Sequence, residues 1–302
     1  MKSSISCSLL AAAMVAGLAT MGASPADAAT VTCGQVVTSS IKLDADLVDC
    51  PGDGLIVGAS DITIDLNGHT IDGVSPADYG GGFGIIVRAP HHGVKVVNGT
   101  VQEFSFSVWL DRSDDNHLRR LDVTGNNIGV ELTEGEGNHI RRSVFDHNRD
   151  TGIRLFGADR TRVHHNEFHG GRWGVLLQVG ADANRIHRNV IVGDETSTDR
   201  GIQIGLDSNR NLVSQNRVSG FDEYGINVDD GERMVIRKNR AIDNPGVGIR
   251  IGPDATATTL SRNVANGNGS WGILVLSPVR DPGGNFAAGN GEPDECFGVT
   301  CK

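Results

Sequence analysis

Between residues 84 and 275 one short pattern keeps returning: a small residue, an aliphatic, a variable position and a second aliphatic. It begins at Gly84, Ser107, Gly129, Gly152, Gly174, Gly201, Gly225, Gly248 and Gly272, in steps of between 22 and 27 residues. Nine returns at so narrow a period mark a repeat protein. A unit of this length cannot hold two helices, and its aliphatics alternate with polar residues at period two, so each unit is predicted to consist of short strands. A second column supports this: Asn166, Asn189, Asn216, Asn239 and Asn263 each follow a strand-like pair such as Val163-His164 or Ile186-His187. Asparagines in one register can pass amide hydrogen bonds from unit to unit, and asparagine also tolerates the left-handed backbone of a tight turn.

The segments "TRVHHNEF" and "NRIHRNVIV", the Gly-Ile-x-Ile strands and the early stretch "ASDITIDLNGHTIDG" resemble the repeats of right-handed parallel β-helix proteins of the pectate-lyase-like superfamily. The resemblance runs from Cys33 to Lys302. It implies an all-β fold, a single-stranded right-handed parallel β-helix of about nine to ten coils. In that family the asparagine turn separates the second and third strands of each coil, the Gly-Ile-x-Ile strand is the first, and ligand grooves run across the first sheet. The repeats are expected over 62–280, between an N-terminal cap at 29–61 and a C-terminal cap at 281–302.

Composition narrows the setting. Lys2, the apolar run from Ile5 to Leu18 and the small-residue site Ala26-Asp27-Ala28 read as a secretory signal peptide over 1–28. The chain would then be secreted, or periplasmic, and free of the membrane after cleavage. Four of the five cysteines lie beyond that segment, two near each end, which predicts local disulfides Cys33–Cys50 and Cys296–Cys301 as staples on the caps. Ends closed in this way suggest a monomer. The net charge of -10 argues against nucleic acid as a partner.

If the aliphatics of each first strand point inward, the residues between them face out. One outward column then reads Ile86, Trp109, Glu131, Arg154, Leu176, Gln203, Asn227, Arg250 and Leu274, and the next includes Arg88, Asp111, Thr133, Phe156 and Asp229. Aromatic rings among charged and amide groups suit a carbohydrate groove, where sugar faces stack and hydroxyls take fixed hydrogen bonds. A first patch gathers Glu131, His147, Arg149, Arg154, His169, Arg172 and Trp173; a second gathers Asp199, Arg200, Asp222, Tyr224, Asn227, Asp229 and Arg250. The first is preferred because it combines His, Arg and a ring. The predicted second sheet carries a basic stripe, His117, Arg119, His139, Arg141, Arg162, His164, Arg185 and His187, and just before it stands an acidic row, Asp115, Asp159, Asp182, Asp207, Asp230 and Asp254. Mutual screening of the two is the expectation, with calcium the one cofactor that the acidic row could take.

Cleavage of a uronic-acid polymer by β-elimination needs a cation to neutralise the carboxylate and a base to remove the C5 proton; a C5-epimerase needs the same start. Arg154 or Arg172 fits the first role, and His147, His169 or Tyr224 the second, with Trp109, Asp111, Glu131, Arg149, Phe156, Trp173, Gln203, Asn227, Asp229 and Arg250 lining the substrate. The expected partner is thus an anionic polysaccharide. Hydrolysis by inversion would instead use Asp111 and Glu131, diagonal neighbours with Cα atoms roughly 7–8 Å apart. A non-catalytic solenoid that binds glycans or builds a cell surface is the alternative from outside enzymology. The clustered Asp pairs with Gly-His-Gly of polygalacturonases and the Asp-Pro-His-Asp of alginate epimerases are both missing from the chain.

Overall fold

The structure is a computed structural model, and it describes residues 31–74, 81–194 and 198–302. The signal-peptide segment lies outside the described residues. Among those described there are β-strands and no α-helix. Strands of equivalent position pair in parallel, each with its counterpart one coil on, as Ile153 with Val175 and Val175 with Ile202. The chain therefore winds as a parallel β-helix.

Its first sheet has twelve strands. Nine are those of the repeating pattern. Three more come from the expected caps: Gln35–Val37 pairs with Leu55–Val57, which pairs with Phe83–Arg88, and Cys296–Phe297 pairs with Ile273–Val275. The helix therefore has more rungs than the nine to ten coils expected, because the cap segments continue the ladder. The remaining strands form the second and third faces; His117–Thr124 and Lys95–Gln102 run along both, while later coils break in between, as in His139–Arg141 and Val144–Asp146. Disulfides Cys33–Cys50 and Cys296–Cys301 close with Cα atoms 5.4 and 6.2 Å apart.

The interior explains the pattern. Val130, Ile153, Val175, Ile202, Ile226 and Ile249 are fully buried and stack in one column, as do Leu132, Leu155, Leu177 and Ile204. Phe145 and Phe168 stack with centroids 4.7 Å apart. The small residue has a separate cause. A Cβ placed on Gly129, Gly152, Gly174, Gly201, Gly225 or Gly248 would lie between 2.4 and 2.7 Å from the carbonyl oxygen of the next glycine in the column. Neighbouring coils could keep their strand spacing only by displacing that backbone, so glycine is demanded by close approach.

The asparagine column forms the predicted ladder: Nδ2 of Asn166, Asn189, Asn216, Asn239 and Asn263 each donates to Oδ1 of the next, at 3.1–3.2 Å, and the column ends at Asn285. Each also donates to a backbone carbonyl of the preceding coil, as Asn216 does to Ile186 at 2.9 Å. The left-handed residue is not the asparagine. It is the residue before it: His165, Arg188, Gln215, Lys238 and Arg262 have φ between 55° and 58°. The asparagine must turn its amide inward to reach its neighbours, so the exposed residue preceding it makes the bend. Similar asparagines occupy the other two turns, Asn116 with Asn138 before the second sheet, and Asn126 with Asn148 and Asn244 with Asn268 before the first.

Candidate functional site

On the outer face of the first sheet the predicted columns are in register. Trp109, Glu131, Arg154 and Leu176 follow one another, then Gln203, Asn227, Arg250 and Leu274. Several of these outward residues are nevertheless buried: Glu131, Gln203, Asp111 and Asn227 are at most 8% exposed. Outward direction did not mean solvent contact, because long side chains on adjacent coils lie over them and exchange hydrogen bonds.

Two clusters result. Near the N-terminal end, Phe83 stacks on Phe106 and on Trp109, with centroids 5.2 and 4.8 Å apart, and the guanidinium of Arg88 lies 4.4 Å from the Trp109 ring. Trp109 Nε1 donates to Thr133 Oγ1 at 2.9 Å, and that hydroxyl donates to Glu131 at 3.2 Å. Glu131 also accepts from Arg154, whose guanidinium is 6.0 Å from the Phe106 ring. Asp111 is held between Arg112 and Arg88, at 3.1 and 3.7 Å.

The second cluster surrounds Tyr224. Arg200 and Arg250 face its ring, each guanidinium carbon 5.3 Å from the centroid. Arg250 donates to Asn227 and to Asp229 at 2.9 and 2.7 Å; Gln203 donates to Asp229 at 2.9 Å and accepts from Arg200 and Asn227, both at 2.8 Å. Arg200 is further paired with Glu223 at 2.7 Å. Partial burial pushes the Asp229 carboxyl up, but hydrogen bonds from Asn227, Gln203 and Arg250 and the charge of Arg200 outweigh it, so Asp229 sits below the usual carboxylate range. Trp173, Leu176, Gln178, Arg200, Gln203 and Asp229 line a depression of about 200 Å³ beside this cluster. That is smaller than the roughly 300–1,000 Å³ of a drug-sized ligand pocket and suits one subsite of a longer groove.

The first patch is divided. Glu131 and Arg154 meet on the first sheet, but His147 stands at the turn before it and His169 ends the third-face strand Glu167–His169. His147 contacts Asp146 at 2.9 Å and Asp194 at 3.5 Å, and His169 lies 4.0 Å from Glu167. Arg149 is exposed at the same turn, and half-buried Phe156 lies between Thr133 and Gln178 in its column. Arg172 pairs with Asp199, which raises its pKa, and covers the Trp173 ring at 4.5 Å. Of the second patch, Arg200, Tyr224, Asn227, Asp229 and Arg250 are brought together as one network, whereas the Asp199 side chain pairs with Arg172 and Asp222 is exposed. Phe83 and Phe106 were not among the expected site residues. They occupy the position just before the small residue, a third outward column that continues through Trp173, Arg200 and Tyr224; reading that slot in the repeats finds them. Among the described residues, no group of three or more His, Cys, Asp or Glu is arranged to hold a metal ion.

The sequence model for the right handed beta helix region matches residues 83–207 and 181–280, which together span more than half of the chain. The chain belongs to the right-handed β-helix family. No curated protein sequence matches it. Solved structures similar to this β-helix protein include the Dettilon tailspike protein (14% identity, TM-score 0.68, covering 86% of this chain and 61% of the tailspike). The periplasmic alginate epimerase AlgG is similar at 16% identity and a TM-score of 0.63, covering 84% and 73%. Endopolygalacturonase I from Stereum purpureum, solved with two galacturonates, gives 13%, 0.58, 90% and 92%. This chain thus spans under two thirds of the tailspike's length. At these identities the likeness is one of fold.

Proposed function

We propose that the protein acts on an acidic polysaccharide bound across its first sheet, by β-elimination or C5-epimerisation of a uronic-acid residue. The observation that carries this reading is the Tyr224 ring set between Arg200 and Arg250 beside the Asp229 depression. A guanidinium that leaves Asp229 for a substrate carboxylate would neutralise it and stabilise the carbanion formed at C5. The Tyr224 oxygen, as the phenolate, would accept the C5 proton and become the phenol. In elimination the C4–O bond breaks and the departing oxygen takes up a proton; in epimerisation C5 is reprotonated from its other face. The Phe83, Phe106 and Trp109 platform lies five to six strands away, about 24–29 Å at parallel-strand spacing, so one ligand reaching both must be a polymer. The alginate epimerase and galacturonate-bound endopolygalacturonase share this fold and support a glycan as ligand. Hydrolysis fits less well, since Asp111 and Glu131 are both occupied as ion-pair acceptors.

One observation favours a second reading, a glycan-binding module without catalysis: Arg88, Arg154, Arg200 and Arg250 each already have a carboxylate partner. The deciding assay incubates residues 29–302 with alginate, pectate, hyaluronan and glucuronan, with and without calcium. It follows absorbance of the unsaturated product, new reducing ends, and deuterium uptake from solvent at C5. Tyr224→Phe should lower a lyase or epimerase rate at least 100-fold while polymer binding persists. Polymer binding with all three channels silent would establish the binding module.

A further inference from the structure

The second sheet carries a feature that the first-sheet site does not use. Its outward positions form two columns over successive coils. In one, Lys95, His117, His139, Arg162 and Arg185 stack in register; in the other, Arg119, Arg141, His164 and His187. From His117 onward each of four rungs therefore holds one arginine and one histidine, and Lys95 adds a cation to the rung before. His117 packs on His139, and His164 stacks on His187, both with centroids 4.9 Å apart. Arg120, Arg142, His165 and Arg188 border the stripe at the adjoining turn, each in the left-handed conformation and exposed.

The acidic row does not pair with these arginines. Three of its carboxylates are engaged within their own turn: Asp182 accepts from the Asn209 amide and from Arg210, Asp159 from the Asp182 amide, and Asp230 from the amides of Leu206 and Asp207. Among the described residues, no carboxylate pairs with Arg119, Arg141, Arg162 or Arg185 within 4.0 Å. Asp115 is the acidic group that acts on His117 and His139. Nor does the fold ask for cations here, because equivalent outward positions on other coils hold Thr63 and Asp65, Leu212 and Ser214, or Thr259 and Ser261. Like charges opposite one another on adjacent strands are unfavourable. A row of them kept without internal partners is explained by an external one.

We propose that this face is a second binding surface, for a linear glycan carrying a carboxylate on each sugar ring. The cations recur once per strand, about 4.8 Å apart, a repeat close to that of an extended uronan, and the stacked imidazoles offer flat surfaces to sugar rings. Nucleic acid fits less well: duplex phosphates recur about every 3.4 Å along a strand, and the stripe has no Phe, Tyr or Trp on which bases could stack. The surface goes beyond the first-sheet reading and does not depend on it, since the two faces share no residue.

The test is titration of an end-labelled mannuronate decamer into the disulfide-intact protein over a series of salt concentrations. Arg119→Gln, Arg141→Gln, Arg162→Gln and Arg185→Gln combined should weaken binding at least tenfold at low salt and lower the log–log salt slope by about 3, at about 0.7 per contact for a single-stranded polyanion. The four Arg→Lys changes should restore binding, which separates charge from misfolding. Trp109→Ala with Tyr224→Phe, on the first sheet, should leave the salt-dependent component in place, whatever the assay of the first sheet returns. Unaltered binding in the glutamine variant, or tighter binding of a single-stranded DNA decamer than of the glycan, would overturn the proposal.

Discussion

Asn216→Ala should destabilise the chain well beyond an ordinary surface change. The Asn216 side chain makes four buried contacts: it donates to Ile186 O and Asn239 Oδ1, and it accepts from the Asn189 backbone amide and from Asn189 Nδ2, all between 2.9 and 3.1 Å. Three of these partners have a second bond. Asn189 Nδ2 still reaches Val163 O, Asn239 Oδ1 still accepts from the Asn216 amide, and the Ile186 C=O keeps its ladder bond to the strand in register with it, Leu212–Ser214. The Asn189 N–H loses its partner without such a replacement. A buried polar group left unsatisfied costs about 1–3 kcal/mol, so the substitution should destabilise by about that much. The neighbour Gln215 provides the control, since it is exposed and contacts Arg188 at the surface; Gln215→Ala should change stability by about 0.5 kcal/mol or less. Urea unfolding with disulfides intact compares the two, and hydrogen exchange at the Asn189 amide localises the loss, which a long repeat array requires because it need not unfold in one step. Equal effects of the two substitutions, or an unaccelerated Asn189 amide, would refute the view that the ladder amides are obligatory partners.

The other expectations concern different forces. Gly201→Ala should destabilise strongly although it adds one methyl, since the new Cβ would lie 2.6 Å from Gly225 O and 2.2 Å from a Val218 methyl; thermal melting would show it, and an unchanged melting temperature would mean that the coils can separate freely. Loss of Cys33–Cys50, with its separation of 17, should cost about 3 kcal/mol, against about 2 kcal/mol for Cys296–Cys301, with its separation of 5; serine double variants in urea would rank them. Burial, together with His187, His165 and Arg141, brings the His164 pKa down to about 4, and His117, His139 and His187 shift the same way. Below pH 6.5 the unfolded chain therefore takes up protons that the folded chain refuses, and stability should fall as pH drops from 6.5 toward 4. His164→Gln should flatten the melting temperature between pH 7 and 5, and a slope identical to the parent's would exclude the second-sheet histidines as its source.

The repeat was legible because its two causes are local and periodic. A carbonyl facing each Gly and an interior facing each aliphatic act on every coil alike, so the nine first-sheet strands stand in the sequence as a column. The middle asparagine ladder was visible for the same reason. The other two were hidden because their runs are broken, by Thr161 in one and by Gly171 and Thr198 in the other. The site was less legible because it depends on lateral contact. Sequence spacing placed Glu131 and Arg154 side by side, but it could not say that Arg154 would spend its charge on Glu131, or that His147 would face Asp146 and Asp194 at a turn. Tyr224, Arg200, Asn227, Asp229 and Arg250 assembled as a group because they lie in register on three consecutive strands, which periodicity does foresee.

The amide ladders also have a direction. Every Nδ2 of the middle ladder points toward the next coil and every Oδ1 toward the previous one, so the side-chain dipoles add head to tail and leave an unspent donor at the C-terminal end. At that end two ladders meet a carboxylate. Asn285 Nδ2 donates to Asp281 at 3.1 Å, and Asn290 Nδ2 to Glu295 Oε2, with the Gly289 amide on the other oxygen at 2.8 Å. An acceptor that carries full negative charge takes up the last donors as an acidic residue does at the start of an α-helix. Asp281 and Glu295 thus close the two ladders: the amide protons that a further coil would accept are already bonded to a carboxylate of the chain itself.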